Sequence, residues 1–190
     1  MQILALDIAK RQTGWAIGSV EKPAIAWGVF DTTNRPFLPS WDEAEALHVS
    51  RFYNFIEKLH HDYGFESIMY EESFLDAARF SPAGTRATLF FIAMLMLFST
   101  QHCINLDSVA IQTWRGRFVP GAPPKGLDQY HRRKWWKDRS IAACKLRGWN
   151  VSNSDEAEAL GILDYALSEK DPHYAGSSDP IFHLDKLVAP

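Results

Sequence analysis

Cysteine is nearly absent from these 190 residues. Cys103 and Cys144 are the only two, and neither stands at the spacing of a zinc knuckle or a disulfide framework. Each lies among apolar residues at helical spacing, which predicts buried, reduced thiols. Long hydrophobic runs are missing as well. The longest apolar block, Leu89–Phe98, falls well short of the roughly 20 residues a bilayer span needs. Met1-Gln2-Ile3 leads straight into a strand-like pattern, so no cleaved signal peptide is expected and the expected compartment is the cytoplasm. There is no glycine-rich phosphate loop beside the first apolar run, no internal repeat and no low-complexity tract. One further scarcity is local. Between Arg115 and Arg147 only Asp128 and Asp138 are acidic, against ten Lys and Arg. A chain of net charge −3 therefore carries a +8 segment on an otherwise acidic body. Such a zone can recruit phosphate while carboxylates elsewhere do other work.

What is present begins with the first 19 residues. Ile3 to Leu6 form a short apolar run that ends in Asp7, and Gly14 to Gly18 resume an apolar pattern after a polar link. A buried strand has no need of an aspartate, and an unpaired buried carboxylate costs several kcal/mol. Asp7 is thus either a turn residue or the partner of a cation. Gln2–Asp7, Gly14–Ser19 and Ala24–Phe30 read as three strands joined by short turns, an antiparallel meander. After a Pro-bearing loop, apolar residues at helical spacing predict a helix from Trp41 to about His61. A fourth strand, Ser67–Tyr70, runs into Glu71-Glu72. The segment 75–84 reads as a loop, Thr85–His102 as a helix apolar nearly all round, and Ser108–Ile111 as a fifth strand. Trp114–Tyr130 reads as a basic Pro/Gly loop, Arg132–Leu146 as a basic helix, Asp155–Leu167 as a last helix, and 171–190 as a tail. Strand–helix–strand order after a meander implies one mixed sheet with helices on its faces. The chain length suits one such domain, residues 1–170.

Carboxylates end separated elements at three places: Asp7, Glu71-Glu72, and the Asp155/Glu158 pair. The last two stand three apart and share a helix face. Each has an ordinary alternative as turn residue, solvated strand end or helix-dipole partner. Were the first and fourth strands parallel neighbours, four carboxylates would face one another, and they could not all stay ionised without cations. Hard divalent ions with oxygen ligands, Mg²⁺ or Mn²⁺, two per site, suit that arrangement.

Three motifs then carry a resemblance: ILALDIAKRQTGWAI at the start, SIMYEESF in the middle and SDEAEALGILDYAL near the end. Together they resemble the RuvC-type Holliday junction resolvases of the ribonuclease H-like superfamily, in particular their phage and prophage versions. The resemblance implies a ribonuclease H-like mixed five-stranded sheet, three antiparallel meander strands plus two parallel strands, flanked by helices. It implies a metal-dependent, structure-selective endodeoxyribonuclease that hydrolyses phosphodiesters in four-way DNA junctions. Asp7, Glu71, Asp155 and Glu158 fall on the family's metal-binding acids, with Asp7 bridging two ions. Glu71 is preferred to Glu72 because it directly follows the apolar run and keeps Phe74 at the family's spacing; Phe74 matches an aromatic that wedges against junction bases, its alternative being a loop residue tucked into the core. Position 158 departs from the family, which usually has Asp there. Arg115, Arg117, Lys125, Lys134 and Lys137 are the expected DNA-backbone contacts. Trp135 and Trp136 are either base or sugar contacts or core. Paired nicks imply a homodimer, for which helix 85–102 is the candidate interface; its alternative is the monomer core. A less selective flap, branch or RNA nuclease, or an idle DNA-binding protein, would share these motifs.

Overall fold

The computed structural model describes residues 1–9, 11–31, 41–72 and 82–177. Five strands, β1 (Ile3–Asp7), β2 (Gln12–Gly18), β3 (Ala26–Asp31), β4 (Ser67–Glu71) and β5 (Asn105–Val109), form one sheet in the order β3-β2-β1-β4-β5. β1 pairs antiparallel with β2, and β2 with β3; β1–β4 and β4–β5 are parallel. The mixed sheet expected from the element order is therefore present, with β1 at its centre.

A central strand covered on both faces needs apolar residues at every position. Ile3, Leu4, Ala5 and Leu6 meet that need and are essentially inaccessible. Alternation then sorts the two faces. Leu4 and Leu6, with Ile17 and Ile68, pack under α1 (Trp41–Tyr63) and α2 (Pro82–His102) through Phe52, Ile56, Phe91, Leu95 and Phe98. Ile3 and Ala5, with Ala16 and Met69, pack under α5 (Ser154–Lys170) through Ala159, Leu160 and Leu163. The same parity carries Asp7, two residues beyond Ala5, and Glu71, two beyond Met69, to the α5 face.

Several element boundaries shift by a few residues, a helix at 172–177 lies in the expected tail, and two elements differ more. The last strand is Asn105–Val109, not 108–111. Its Asn105, Asp107 and Ser108 are exposed on a sheet edge, so it lacks the apolar run by which buried strands are recognised. The segment expected to open a basic loop instead begins as helix α3, Ile111–Phe118. Ile111, Trp114 and Phe118 stand at helical spacing, a signal masked by Gly116 and by the missing side-chain cap at Ala110. Cys103 is exposed with φ 55°, while Cys144 is buried. Only the second thiol meets the expectation of burial.

Helix α4 (Gln129–Leu146) starts at Asp128, which caps the His131 N–H, and packs on α5 through Ser140, Ala143 and Cys144. Arg147 at its C-terminus pairs with buried Asp164 of α5 at 3.6 Å and lies over the Phe118 ring. A short helix, α6 (Pro172–Ser177), follows α5, and its Tyr174 hydroxyl donates to Asp164 at 2.9 Å. Asp164 thus ties α4 and α6 to α5, and through Arg147 it steadies α3. No helix among the described residues is long and apolar enough to cross a membrane.

Candidate active site

Asp7 is the last residue of β1 and lies opposite Gly14 of β2 in the antiparallel register. Gly14 is where α5 approaches the sheet. A β-carbon at position 14 would stand 2.0 Å from the Asp155 carbonyl oxygen and 3.4 Å from the Ala159 β-carbon. Only glycine lets the first turn of α5 settle beside the end of β1. That turn is held by Asn153, whose side chain accepts from the Asp155 and Glu156 N–H groups at 3.0 Å each. Glu156 accepts from the Ser152 N–H at 2.7 Å. The capping work falls to Asn153 and Glu156, so Asp155 and Glu158 are left to project inward together.

Asp7, Asp155 and Glu158 each offer a carboxylate oxygen within 4.8 Å of the others. Glu71, at the end of the neighbouring parallel strand, stands outside that group of three but close enough for its charge to act on Asp7. Its Oε2 accepts a hydrogen bond from the indole N–H of Trp114 at 2.8 Å. Of the two acids that end β4, Glu72 is exposed and its N–H bonds the Val109 carbonyl; Glu71 is the one on the α5 face.

Crowding dominates the electrostatics. Burial, then Glu158, Glu71 and Asp155, push the Asp7 carboxyl well above the usual carboxylate range, offset only by Arg115. Burial raises Glu71 to about 7, against the lowering effects of the Trp114 hydrogen bond and Arg115. Two cations lie against the group. The Arg115 guanidinium pairs with Glu158 Oε1, and Lys137 Nζ is 3.5 Å from Asp155 Oδ1. An all-oxygen donor set with more negative than positive charge fits a hard divalent cation, and it does not fit the softer ions that select sulfur.

The basic residues divide. Arg115 is turned inward; Arg117 and Lys125 are exposed. Lys134 pairs with Asp138 on the outer face of α4, whereas Lys137 leans toward the acids. Trp135 and Trp136 are half-buried against the core, with Arg139 over the Trp135 ring at 5.4 Å and Arg115 over the Trp136 ring at 5.6 Å. Phe74 lies outside the described residues. Sequence reasoning passed over Trp114, Gly14 and Asn153. The asparagine stands directly before an acid-rich helix start, a usable N-cap signal; the other two depend on contacts across the sheet.

No protein-family model matches the sequence, and no curated protein is similar to it at the sequence level. Solved structures are similar in fold. RuvC of Thermus thermophilus superposes with a TM-score of 0.62 at 14% identity, over 90% of this chain and 96% of that one. The same organism's RuvC in complex with a Holliday junction substrate gives 0.61 at 13% identity, over 90% of this chain and 95% of that one. The yeast mitochondrial Holliday junction resolvase Ydc2 gives 0.52 at 13% identity, over 92% of this chain and 83% of that one. The chain thus has the ribonuclease H-like fold of RuvC.

Proposed function

We propose that this protein is a divalent-metal-dependent, structure-selective DNA endonuclease that resolves four-way junctions by paired phosphodiester hydrolysis. The observation that carries the proposal is the convergence of Asp7, Asp155 and Glu158 within 4.8 Å, beside Glu71, on a fold similar to that of RuvC bound to a Holliday junction. Structural acids at strand ends and helix starts do not need to meet, and like charges this close raise one another's pKa. Asp7, Glu71, Asp155 and Glu158 are the residues that would hold Mg²⁺ or Mn²⁺, two ions per site. Bound there, the ions would activate a water and neutralise the leaving oxygen of a phosphodiester. The protein's own contribution is positional. Asp7 is fixed by the central strand, and Asp155 and Glu158 by a capped helix set against Gly14.

The proposed DNA contacts are exposed Arg117 and Lys125, together with Lys134 and Lys137 on α4 and Arg115 at the edge of the cluster. Cations interleaved with tryptophans suit backbone tracking with some stacking. Phe74 is retained as the proposed base wedge from its spacing after Glu71. Two symmetric nicks call for two active sites related by a two-fold axis. The proposed homodimer face is α2, where Leu89, Phe90, Met96 and Leu97 are more than 40% exposed. Between α1 and α2, Phe90, Met94 and Leu97 face Ala46, Val49 and Tyr53 across a groove of about 720 Å³.

Cleavage of a synthetic four-way junction with Mg²⁺ or Mn²⁺, by wild type and Asp7→Asn, tests the proposal. Paired nicks by wild type alone support it. Equal cutting of linear duplex would remove the junction selectivity, and no cleavage of any nucleic acid would remove the nuclease.

A further inference from the structure

We propose that Trp114 and Arg115 are positioning residues that set how the acid cluster takes up its cations. Trp114 fixes the Glu71 carboxylate, and Arg115 is a resident counter-ion that an incoming divalent ion must displace from Glu158. The inference rests on reading the four acids as a cation site, but not on junction cleavage.

Successive residues on a helix diverge by about 100°, so the two side chains of this dipeptide reach acids on different elements. Trp114 reaches Glu71 of β4; Arg115 reaches Glu158 of α5. Asp7 is electrostatically coupled to both acids. Trp114 is fully buried, and its indole N–H can only donate. Its bond to Oε2 holds one carboxylate oxygen and fixes the orientation in which the other is offered. The ring itself is seated on Gly161, where a β-carbon would come within 2.7 Å of Trp114 and 2.8 Å of Phe118. The depth of α3 against α5 is therefore set by a missing side chain, and the dipeptide cannot drift.

Arg115 is held differently. Its guanidinium lies 5.1 Å from the Trp114 ring centroid and 5.6 Å from that of Trp136, one end paired with Glu158. Its Nε is buried without a hydrogen-bond partner among the described residues. An always-charged fork stacked on indoles and only partly satisfied is a good temporary partner for a carboxylate. A divalent ion on Glu158 would face that positive charge directly, and the two compete. Glu158 meets Arg115 from the second turn of α5.

Calorimetric titration of the metal-free full chain with Mn²⁺, without DNA, tests the proposal. Melting curves without metal check that each variant is folded. Trp114→Phe keeps the ring in place but deletes the donor, and it is expected to weaken Mn²⁺ binding about tenfold or more. Arg115→Ala is expected to tighten binding about tenfold by removing the competitor. Arg115→Lys, which keeps the charge, is expected to return affinity close to wild type. Weaker or unchanged binding in Arg115→Ala overturns the counter-ion role, and unchanged binding in Trp114→Phe overturns the orienting role. Should Trp114→Phe fail to fold, the Arg115 pair of variants still decides the counter-ion role. Equal Mn²⁺ uptake by wild type and Asp7→Asn, or none by either, would overturn the cation site itself and this proposal with it.

Discussion

Gly14 and Asp155 touch backbone to backbone: a β-carbon on the first would stand 2.0 Å from the carbonyl oxygen of the second. The strand that pairs with Asp7 is thereby also the seat of the helix that carries Asp155 and Glu158. Gly14→Ala must push α5 away from the sheet. The expected outcome is a loss of about 1–3 kcal/mol of stability, with a steeper loss of junction cleavage. Thermal melting read beside single-turnover cleavage checks this. Wild-type activity in a stable Gly14→Ala protein would show that the spacing is not critical.

Asp7→Asn separates the needs of the fold from those of the site. Burial and three neighbouring carboxylates oppose the Asp7 charge, so a neutral amide of the same shape is expected to raise the melting temperature of the metal-free protein by a few degrees. The same variant is expected to bind junction DNA and not cut it. A destabilised Asp7→Asn would mean that the charge of Asp7 is supported by partners in the folded protein.

The pH dependence of stability has a definite sign. Glu71 is raised to about 7, and Asp7 is raised well above the usual carboxylate range. Both hold protons more tightly folded than unfolded. Where the folded state binds more protons, stability falls as pH rises, here from the ordinary carboxylate range through about 7. With chelator present, melting temperatures across that window should decline, and Glu71→Gln should flatten the decline. Cation binding must release those protons, so Mg²⁺ affinity should climb over the same window. A metal-free stability that rises through it would contradict this assignment.

The outer face of α2 offers a test of assembly. Phe90 is 42% and Leu97 55% exposed. Phe90→Arg with Leu97→Glu is expected to yield monomers by sedimentation and to convert paired junction nicks into single ones. An unchanged particle mass would move the dimer face elsewhere.

The Asp164 junction is expected to be the most sensitive structural point outside the site. Arg147→Ala would leave a buried carboxylate with the Tyr174 hydroxyl and the more distant charge of Arg117. Breaking a buried pair from one side typically costs about 3–5 kcal/mol, readable as a loss of denaturant midpoint. A cost near zero would mean that water reaches Asp164.

Much of this was legible in the chain because its signals are local. The apolar run before Asp7, the meander turns and the helix-strand alternation each depend on a few consecutive residues, and together they imply one mixed sheet, whose order β3-β2-β1-β4-β5 the structure supplies. Parity along β1 and β4 already assigns Asp7 and Glu71 to one face once those strands are parallel. The edge strand and α3 were misplaced for the converse reason. Asn105–Val109 pairs as a strand through its backbone while Asn105, Asp107 and Ser108 stay wet, and α3 is held by packing on Gly161 more than by its own caps. Charge type was legible too, but destination was not. Arg115 belonged to a basic stretch, and nothing in that stretch said it would turn from solvent toward Glu158. Residue chemistry and period are properties of the sequence alone. Which carboxylate meets which cation depends on two glycines, at positions 14 and 161, whose missing side chains let α5 approach β2 and α3 approach α5, and only the packed structure decides that.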